Sequence, residues 1–296
     1  MPTMDYYTAA VEDPKDVEGA YAFCRGLARA AGRPEDLWAP RLASRSQRRH
    51  LDVLTAFLRL AEAGHAPADS PRRREFLEGW RRQLRELERE TPRHPVLLAL
   101  SATLRDLSLP REPFDVLLGA FLQDCETRRF STSEELRDFC ARSAEPVGRL
   151  ALMIQGVREP ETLALSDRLC SALRLTRWLR DLSVDLRRDR VYFSNEDFHE
   201  SGCSEADLRM GVVNERFRSL MKGQWRRARA LFEEGRPLAQ RLAWPLSWEV
   251  RLSWLSGIEI LRKIEKVGFD TTRTRPAVEP RDWPRLVTRA VRWRRQ

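Results

Sequence analysis

Apolar side chains recur at steps of three and four residues along most of this chain. This period predicts amphipathic helices, and the alternation typical of β-strands is nearly absent. The clearest stripes are Leu51, Leu54, Leu58 and Ala61; Phe76, Trp80, Leu84 and Leu87; Phe114, Leu117, Leu118, Phe121 and Leu122; and Leu175, Leu179, Leu182 and Leu186. The pattern therefore predicts an all-α protein.

Caps and breakers set the expected helix boundaries. The run 131–135 (Ser-Thr-Ser-Glu-Glu) has the composition of a helix start. The most apolar run, 150–154, is expected to lie in a buried helix. Further helices are expected over 168–188, 204–211, 213–242, 244–266 and 280–294. The breakers between helices are too short for domain linkers, so residues 1–296 are predicted to form a single domain.

Charge adds information about partners. The net charge is +9, and all but four of the 53 basic residues are arginine. The excess of arginine has two possible explanations. Arginine binds phosphate through its planar, bidentate guanidinium group. A genome's base composition can also favour arginine codons. A basic chain can meet nucleic acid, anionic membrane or a phosphorylated small molecule. No nucleic-acid-binding motif accompanies the charge, so nucleic acid is not an expected partner.

The sequence contains no evident localisation signal and no zinc-ligand spacing. No run approaches the roughly 18 to 20 apolar residues of a membrane span. Residues 1–13 lack the basic head and apolar core of a secretory signal. The five cysteines are scattered, and the four histidines have no zinc-ligand spacing. These features indicate a cytoplasmic protein with free thiols.

One helical face carries an unusual set of charges. Helical spacing places Arg174, Arg177, Asp181, Asp185 and Arg188 on it, roughly opposite the leucine stripe. Two interpretations stay open at this point. The face is either a solvated surface laced with Arg–Asp pairs, or the wall of a cavity where two carboxylates hold Mg²⁺ against a substrate phosphate.

A second charged face lies on the helix over 48–66. Thr55, Arg59, Glu62 and Ala66 follow one another at steps of four, three and four. An arginine and a glutamate one turn apart are ordinary surface chemistry, so spacing alone assigns no function to them.

Three blocks resemble the squalene/phytoene synthase family of head-to-head prenyl synthases. Residues 134–150 (EELRDFCARSAEPVGRL) are similar to a family block that reads ELxxYCxxSAxPVGRL, the form typical of the hydroxysqualene synthase branch. Residues 179–193 (LRDLSVDLRRDRVYF) resemble the second aspartate-rich motif, and residues 50–61 (HLDVLTAFLRLA) resemble the run into the first. The resemblance extends over about residues 15–290.

The resemblance implies an all-α isoprenoid-synthase helical bundle around a central cavity. In this family, two aspartate-rich helices face each other, and Mg²⁺ bridges their carboxylates to an allylic diphosphate. Ionisation of the diphosphate gives a carbocation, which couples to a second prenyl chain or rearranges. Neutralising the leaving diphosphate is the main electrostatic contribution to such a reaction.

Motif by motif, the resemblance implies roles for nine residues. Asp181, Asp185 and Glu62 are the expected Mg²⁺ ligands; Asp181, Asp185, Arg59 and Tyr192 are the expected catalytic residues; Arg59, Arg180, Arg190, Arg174 and Arg177 are expected to bind the diphosphate. The last two arginines stand where some members carry a metal-coordinating Gln and Asn.

The first aspartate-rich motif departs from the family pattern. It should read Asp-Asp-x-x-Asp, but Glu62, Ala63 and Ala66 occupy those positions, and Thr55 replaces a usual tyrosine. In the second motif, Val184 replaces an acidic residue. Only one carboxylate therefore remains at the first site, which weakens the expectation of conventional Mg²⁺ catalysis.

Two functions remain open on this basis. The first is a synthase of the squalene/hopanoid route, which converts farnesyl diphosphate or presqualene diphosphate to a hydroxysqualene- or squalene-type C30 product. The alternative is a catalytically impaired or repurposed homologue that binds a prenyl lipid or acts as an assembly partner. The basic C-terminal helix suits either packing on the bundle or peripheral contact with anionic lipid at the inner face of the membrane.

Overall fold

The computed structural model describes residues 16–30, 43–62, 71–87 and 89–293. Within these ranges the chain is helical and has no β-strand; one isolated bridge pairs Phe130 with Ser194. The all-α prediction is confirmed. The helices are α1 (Val17–Ala30), α2 (Arg45–Glu62), α3 (Pro71–Glu86), α4 (Pro95–Leu107), α5 (Glu112–Glu126), α6 (Ser133–Ile154), α7 (Pro160–Arg180), α8 (Leu182–Arg187), α9 (Asn195–Ser201), α10 (Glu205–Met210), α11 (Glu215–Gly235), α12 (Leu238–Arg241), α13 (Leu246–Lys266) and α14 (Trp283–Val291), which a 3₁₀ turn (Pro280–Asp282) precedes.

Packing separates the chain into two compact units. The N-terminal unit contains α1 to α5 together with residues 150–157. The C-terminal unit contains residues 127–149 and the chain from residue 158 onward. Helix α6 contributes to both units. The expectation that residues 1–296 form a single domain stays a prediction.

The core of the N-terminal unit is aromatic and aliphatic. Helix α1 packs against α2 and α4, and α3 packs against α5. The ring of Phe57 lies 5.4 Å from that of Trp80 and 5.1 Å, edge to face, from that of Phe114. All three side chains are buried, and each buried aromatic residue stabilises the unit by roughly 2 kcal/mol or more. Most residues of the stripes predicted from the sequence are buried in this core, whereas Phe76, Leu87 and Leu122 are only half-buried.

The C-terminal unit is arranged around α7, which is buried along most of its length. Helix α11 packs along it closely, because Gly235 has no side chain: a Cβ there would lie 2.9 Å from the backbone nitrogen of Leu169. Helix α13 contacts α7, α11 and α14. The apolar run 150–154 is buried at Leu150, Ala151, Leu152 and Ile154, as predicted.

Three predicted helices are interrupted. The helix expected over 168–188 breaks at Asp181, between α7 and α8. The helix expected over 213–242 ends at Gly235, because Pro237 has no N–H to continue the ladder, and α12 then forms a separate short helix. The C-terminal helix begins with a 3₁₀ turn.

No helix in the described ranges is long and apolar enough to cross a membrane. The five cysteines are free thiols, as the sequence predicts.

Candidate functional site

The junction of α7 and α8 brings the predicted aspartates together. Asp181 leaves helical geometry at φ −94° and ψ 14°, yet the hydrogen-bond ladder continues through it. Its N–H donates to the Arg177 carbonyl at 2.8 Å, and the Asp185 N–H donates to the Asp181 carbonyl at 3.0 Å. Side chains 177, 181 and 185 therefore stay one turn apart, as the sequence spacing predicts.

Two arginines clamp the carboxylate of Asp181. Arg180 donates from Nε to Oδ1 at 2.8 Å and from Nη2 to Oδ2 at 3.1 Å. Arg275 makes the same pair of bonds at 2.7 Å and 3.2 Å. Each is a bidentate, charge-assisted pair, which is the strong form of this interaction. Both oxygens of Asp181 are therefore engaged by guanidinium groups.

The predicted arginines on the preceding turns of α7 lie close by. The Nε of Arg177 is 3.8 Å from Oδ2 of Asp181, the ion-pair distance that a one-turn spacing allows. Arg174 donates from Nη2 to the Ser143 carbonyl at 2.7 Å, and so ties α7 to α6. Both side chains are half-buried.

The two aspartates have opposite electrostatics. Burial by itself would raise the pKa of Asp181, but the bonds from Arg180 and Arg275 outweigh it and lower the pKa to about 2. Burial raises the pKa of Asp185 to about 7, and the negative charge of Asp181 adds to the shift. At neutral pH the first carboxyl group is ionised, and a substantial fraction of the second is protonated.

The segment after α8 is fixed by a further arginine cluster. Asp189 has a positive φ of 55°, and its carboxylate accepts from Arg128 at 2.8 Å, from Arg129 at 2.9 Å and from Arg209. These bonds, that from Arg128 first, hold the pKa of Asp189 well below its usual range. The predicted diphosphate ligand Arg190 follows directly, and its N–H donates to the Asp185 carbonyl at 2.9 Å.

A stack of aromatic rings includes Trp178 and Tyr192, which flank the two aspartates in the sequence. The ring of Tyr192 lies 4.4 Å from that of Trp178 with an interplanar angle of 8°. The ring of Phe139, from the block 134–150, is also parallel to Tyr192 at 6.2 Å. Since Trp178 is on α7 and Phe139 is on α6, the stack fixes Tyr192 against both helices. The faces of such rings attract cations.

The residues of the first motif belong to the N-terminal unit. Thr55 donates its hydroxyl to the Leu51 carbonyl one turn back, at 2.8 Å, so its side chain serves its own helix. Arg59 and Glu62 are half-buried in the last turn of α2. Ala63 and Ala66 lie outside the described residues. The roles predicted for Arg59 and Glu62 stay predictions.

Mg²⁺, which the family resemblance implies, does not fit the residues as they are arranged. In the ranges that the structure describes, no group of three or more His, Cys, Asp or Glu side chains could hold a metal ion. Mg²⁺ needs carboxylate oxygens free to complete a near-octahedral shell, and arginines occupy both oxygens of Asp181.

The sequence did not predict the contact of Arg275 with Asp181, or the arginines that bind Asp189. Arg275 lies 94 positions from Asp181 along the chain, between the helices predicted over 244–266 and 280–294. The one available signal was a basic run of residues 273–276 (Arg-Thr-Arg-Pro) in a chain rich in arginine. Periodicity does not connect segments so far apart.

Comparison with known proteins identifies the family. Residues 32–283 match the squalene/phytoene synthase family. A 15-cis-phytoene synthase of Synechococcus elongatus is 31% identical over 227 residues, which are 73% of each chain. A phytoene synthase of Arthrospira platensis is 32% identical over 246 residues, 77% of this chain and 78% of the relative.

Solved structures agree with the sequence comparison. The squalene synthase HpnC from Alicyclobacillus acidocaldarius superposes with a TM-score of 0.76 at 30% identity, over 86% of this chain and 96% of that one. A dehydrosqualene synthase, at 19% identity, also has a TM-score of 0.76 over 94% and 97% of the two chains, and supports the fold alone. With the all-α isoprenoid-synthase fold, the α7–α8 motif and these matches together, the chain belongs to the squalene/phytoene synthase family.

Proposed function

We propose that this protein is a prenyl-diphosphate-utilising synthase that makes a squalene- or hydroxysqualene-type C30 product from farnesyl or presqualene diphosphate. The observation that carries the proposal is the α7–α8 junction, where Asp181 and Asp185 stand one turn apart, arginines bind Asp181, and Trp178 and Tyr192 on either side in the sequence stack on each other. Similarity to a squalene synthase over nearly the whole of its length supports the substrate class.

In the proposed reaction, the carbon–oxygen bond of the prenyl diphosphate breaks, and the leaving diphosphate takes the electron pair. The carbocation is then consumed either by coupling to a second prenyl chain, with loss of a proton, or by water, which loses a proton and gives an alcohol. Arg177, Arg180 and Arg275 surround the single ionised carboxylate of Asp181, so the local charge is positive and favours the leaving anion. The rings of Trp178 and Tyr192 are suited to stabilise the carbocation that remains. Arg59 and Arg190 are proposed to contribute to diphosphate binding.

The test is direct. Purified protein is incubated with farnesyl diphosphate, with presqualene diphosphate and with a C20 prenyl diphosphate, each in Mg²⁺ and in EDTA. Released pyrophosphate is measured, and the lipid extract is analysed. We expect a C30 hydrocarbon or alcohol from one of the first two substrates. An unchanged extract under every condition would contradict the synthase assignment.

A non-catalytic role is the second candidate, and one observation favours it. The arginine clamp neutralises Asp181, while alanines occupy two carboxylate positions of the first motif. Such a protein would bind a prenyl lipid or act as an assembly partner without turnover. Titration with farnesyl diphosphate, followed by the fluorescence of the tryptophans, would then report saturable binding while the substrate stays intact.

Peripheral contact with the inner face of the membrane is proposed through α14. Leu286 and Ala290 of this helix are buried, whereas Val287 and Val291 are 40% and 65% exposed. Arg289 and Arg292 are exposed beside them. Basic residues at an anionic surface contribute roughly 1 kcal/mol each, and apolar side chains add to the contact.

Co-sedimentation with anionic and with neutral vesicles tests this contact. We expect low-salt binding to anionic vesicles only, and weaker binding by Val291→Asp. Val116→Asp is the matched control, because Val116 is an exposed valine of the N-terminal unit. Equal loss in both variants, or no binding at low salt, would remove α14 from the membrane proposal.

A further inference from the structure

The coordination of Asp181 differs from that of a metal ligand. Its side chain is only 8% exposed, and four guanidinium N–H groups point at its two oxygens. A carboxylate has about four lone-pair sites, so the arginines use them fully. A divalent ion could bind only after at least one guanidinium group had left.

The two arginines differ in how easily they could leave. The side chain of Arg180 is 1% exposed and is fixed within α7. The side chain of Arg275 is 57% exposed and approaches from the segment after α13. That segment is itself ordered: Asp270 accepts from the Thr272 hydroxyl at 2.6 Å, and Pro276 is buried directly after the arginine. Arg275 therefore closes the clamp from an ordered loop.

We infer that guanidinium groups take the place of a metal ion at Asp181. On this inference Asp181 is a positioning residue that anchors Arg180 and Arg275, and the α7–α8 junction binds a diphosphate anion without a divalent cation. Three guanidinium groups, those of Arg177, Arg180 and Arg275, lie within 3.8 Å of a single carboxylate, which leaves positive charge for an anion. The inference deepens the proposed function, although metal uptake and anion binding are measurable without turnover.

Metal uptake is the first measurement. The full-length protein, freed of metals, is titrated with Mn²⁺, and free Mn²⁺ is followed by electron paramagnetic resonance. We expect no uptake by the wild type at millimolar Mn²⁺. Arg275→Ala should gain one Mn²⁺ site, because each oxygen of Asp181 then has a lone pair that no arginine occupies. The double variant Arg275→Ala/Asp181→Asn should lose that site again. Uptake by the wild type that Asp181→Asn abolishes would overturn the inference.

Anion binding is the second measurement, with inorganic pyrophosphate as the probe in calorimetry. Binding of pyrophosphate by the wild type should be no weaker in EDTA than in excess Mg²⁺, because Mg²⁺ only competes for free pyrophosphate, and Arg275→Ala should weaken binding in EDTA by about tenfold or more. In that variant Mg²⁺ should restore part of the affinity. Pyrophosphate binding by the wild type that requires Mg²⁺, or no binding at all, would contradict the inference.

Arg273→Ala is the matched control, because Arg273 is exposed in the same loop, two residues before Arg275. It should behave as the wild type in both measurements, and an equal effect would show that the loop's net charge, not the clamp, is responsible. Arg275→Lys keeps the charge but not the bidentate fork, and serves if Arg275→Ala does not fold. Intact pyrophosphate binding together with failure to consume any prenyl diphosphate would refute the proposed function and leave this inference standing.

Discussion

The end of α2 and the α7–α8 junction carry the two family motifs, and they depart from the family pattern in different ways. At the end of α2 the carboxylates are missing, since Glu62 is followed by alanines at the two other positions. At the junction both aspartates remain, but arginines saturate one of them. Metal binding is therefore weakened in two ways: the first motif lacks carboxylate ligands, and in the second motif arginines occupy the oxygens of Asp181.

The difference has an energetic consequence. Glu62 is half-buried at a helix end, where a charge keeps much of its hydration. Asp181 is buried against the fully buried Arg180, so each charge depends on the other. The junction should therefore be sensitive to every substitution, and the end of α2 should be tolerant.

The largest effect is expected for Asp181→Ala. Removing one partner of a buried ion pair leaves an uncompensated charge, which typically costs about 3–5 kcal/mol. We expect the free energy of unfolding, measured by urea denaturation, to fall by about 3 kcal/mol, near the lower limit because Arg275 is half-exposed. A loss comparable to that of Glu62→Ala, which we expect to stay under about 0.5 kcal/mol, would erase the contrast between the regions.

Turnover should respond next. If a prenyl diphosphate is consumed, Asp181→Asn and Asp185→Asn should each lower kcat by on the order of 100-fold, because each carboxyl group positions arginines around the leaving diphosphate. Initial rates of pyrophosphate release at saturating substrate measure this. Circular dichroism of each variant serves as the folding control, and full activity in both variants would remove the junction from the mechanism.

The pH dependence of stability separates the two aspartates. The folded-state pKa of Asp185 is raised to about 7, so the folded protein holds a proton that the unfolded chain releases near pH 4. The free energy of unfolding should therefore fall as pH rises from about 4 to about 7. Asp181, with a pKa of about 2, contributes stability above about pH 4 that is lost as pH falls toward 2.

Asp185→Asn tests that assignment by urea denaturation at pH 5 and pH 8. The variant should lose less stability than the wild type between these values, by on the order of 1 kcal/mol because the side chain is only partly buried. Parallel pH profiles for variant and wild type would show that Asp185 does not titrate in this range.

The smallest effect is expected at the end of α2. Glu62→Gln should change kcat and KM by less than about threefold, because one carboxylate without its two partners makes a poor Mg²⁺ site. The assay is the same pyrophosphate release in Mg²⁺. A loss of about tenfold or more, accompanied by a higher Mg²⁺ requirement, would show that the first motif still works as a metal site.

The sequence by itself determined the helical class, the core stripes and the position of the aspartate motif. Helical period places Leu51, Leu54 and Leu58 inside, and fixes Asp181 and Asp185 one turn apart, because these relations are local. The three blocks that resemble the squalene/phytoene synthase family also predicted the fold and the expected substrate class.

Only the tertiary structure decided what surrounds those aspartates. Arg275 reaches Asp181 across 94 positions, and Arg128, Arg129 and Arg209 converge on Asp189 from α10 and the segment before α6. A periodic pattern does not predict contacts between residues so far apart in the sequence, because these contacts depend on how separate helices pack. The pKa values of Asp181 and Asp185 differ for the same reason: identical side chains one turn apart take their charge state from long-range neighbours and from burial.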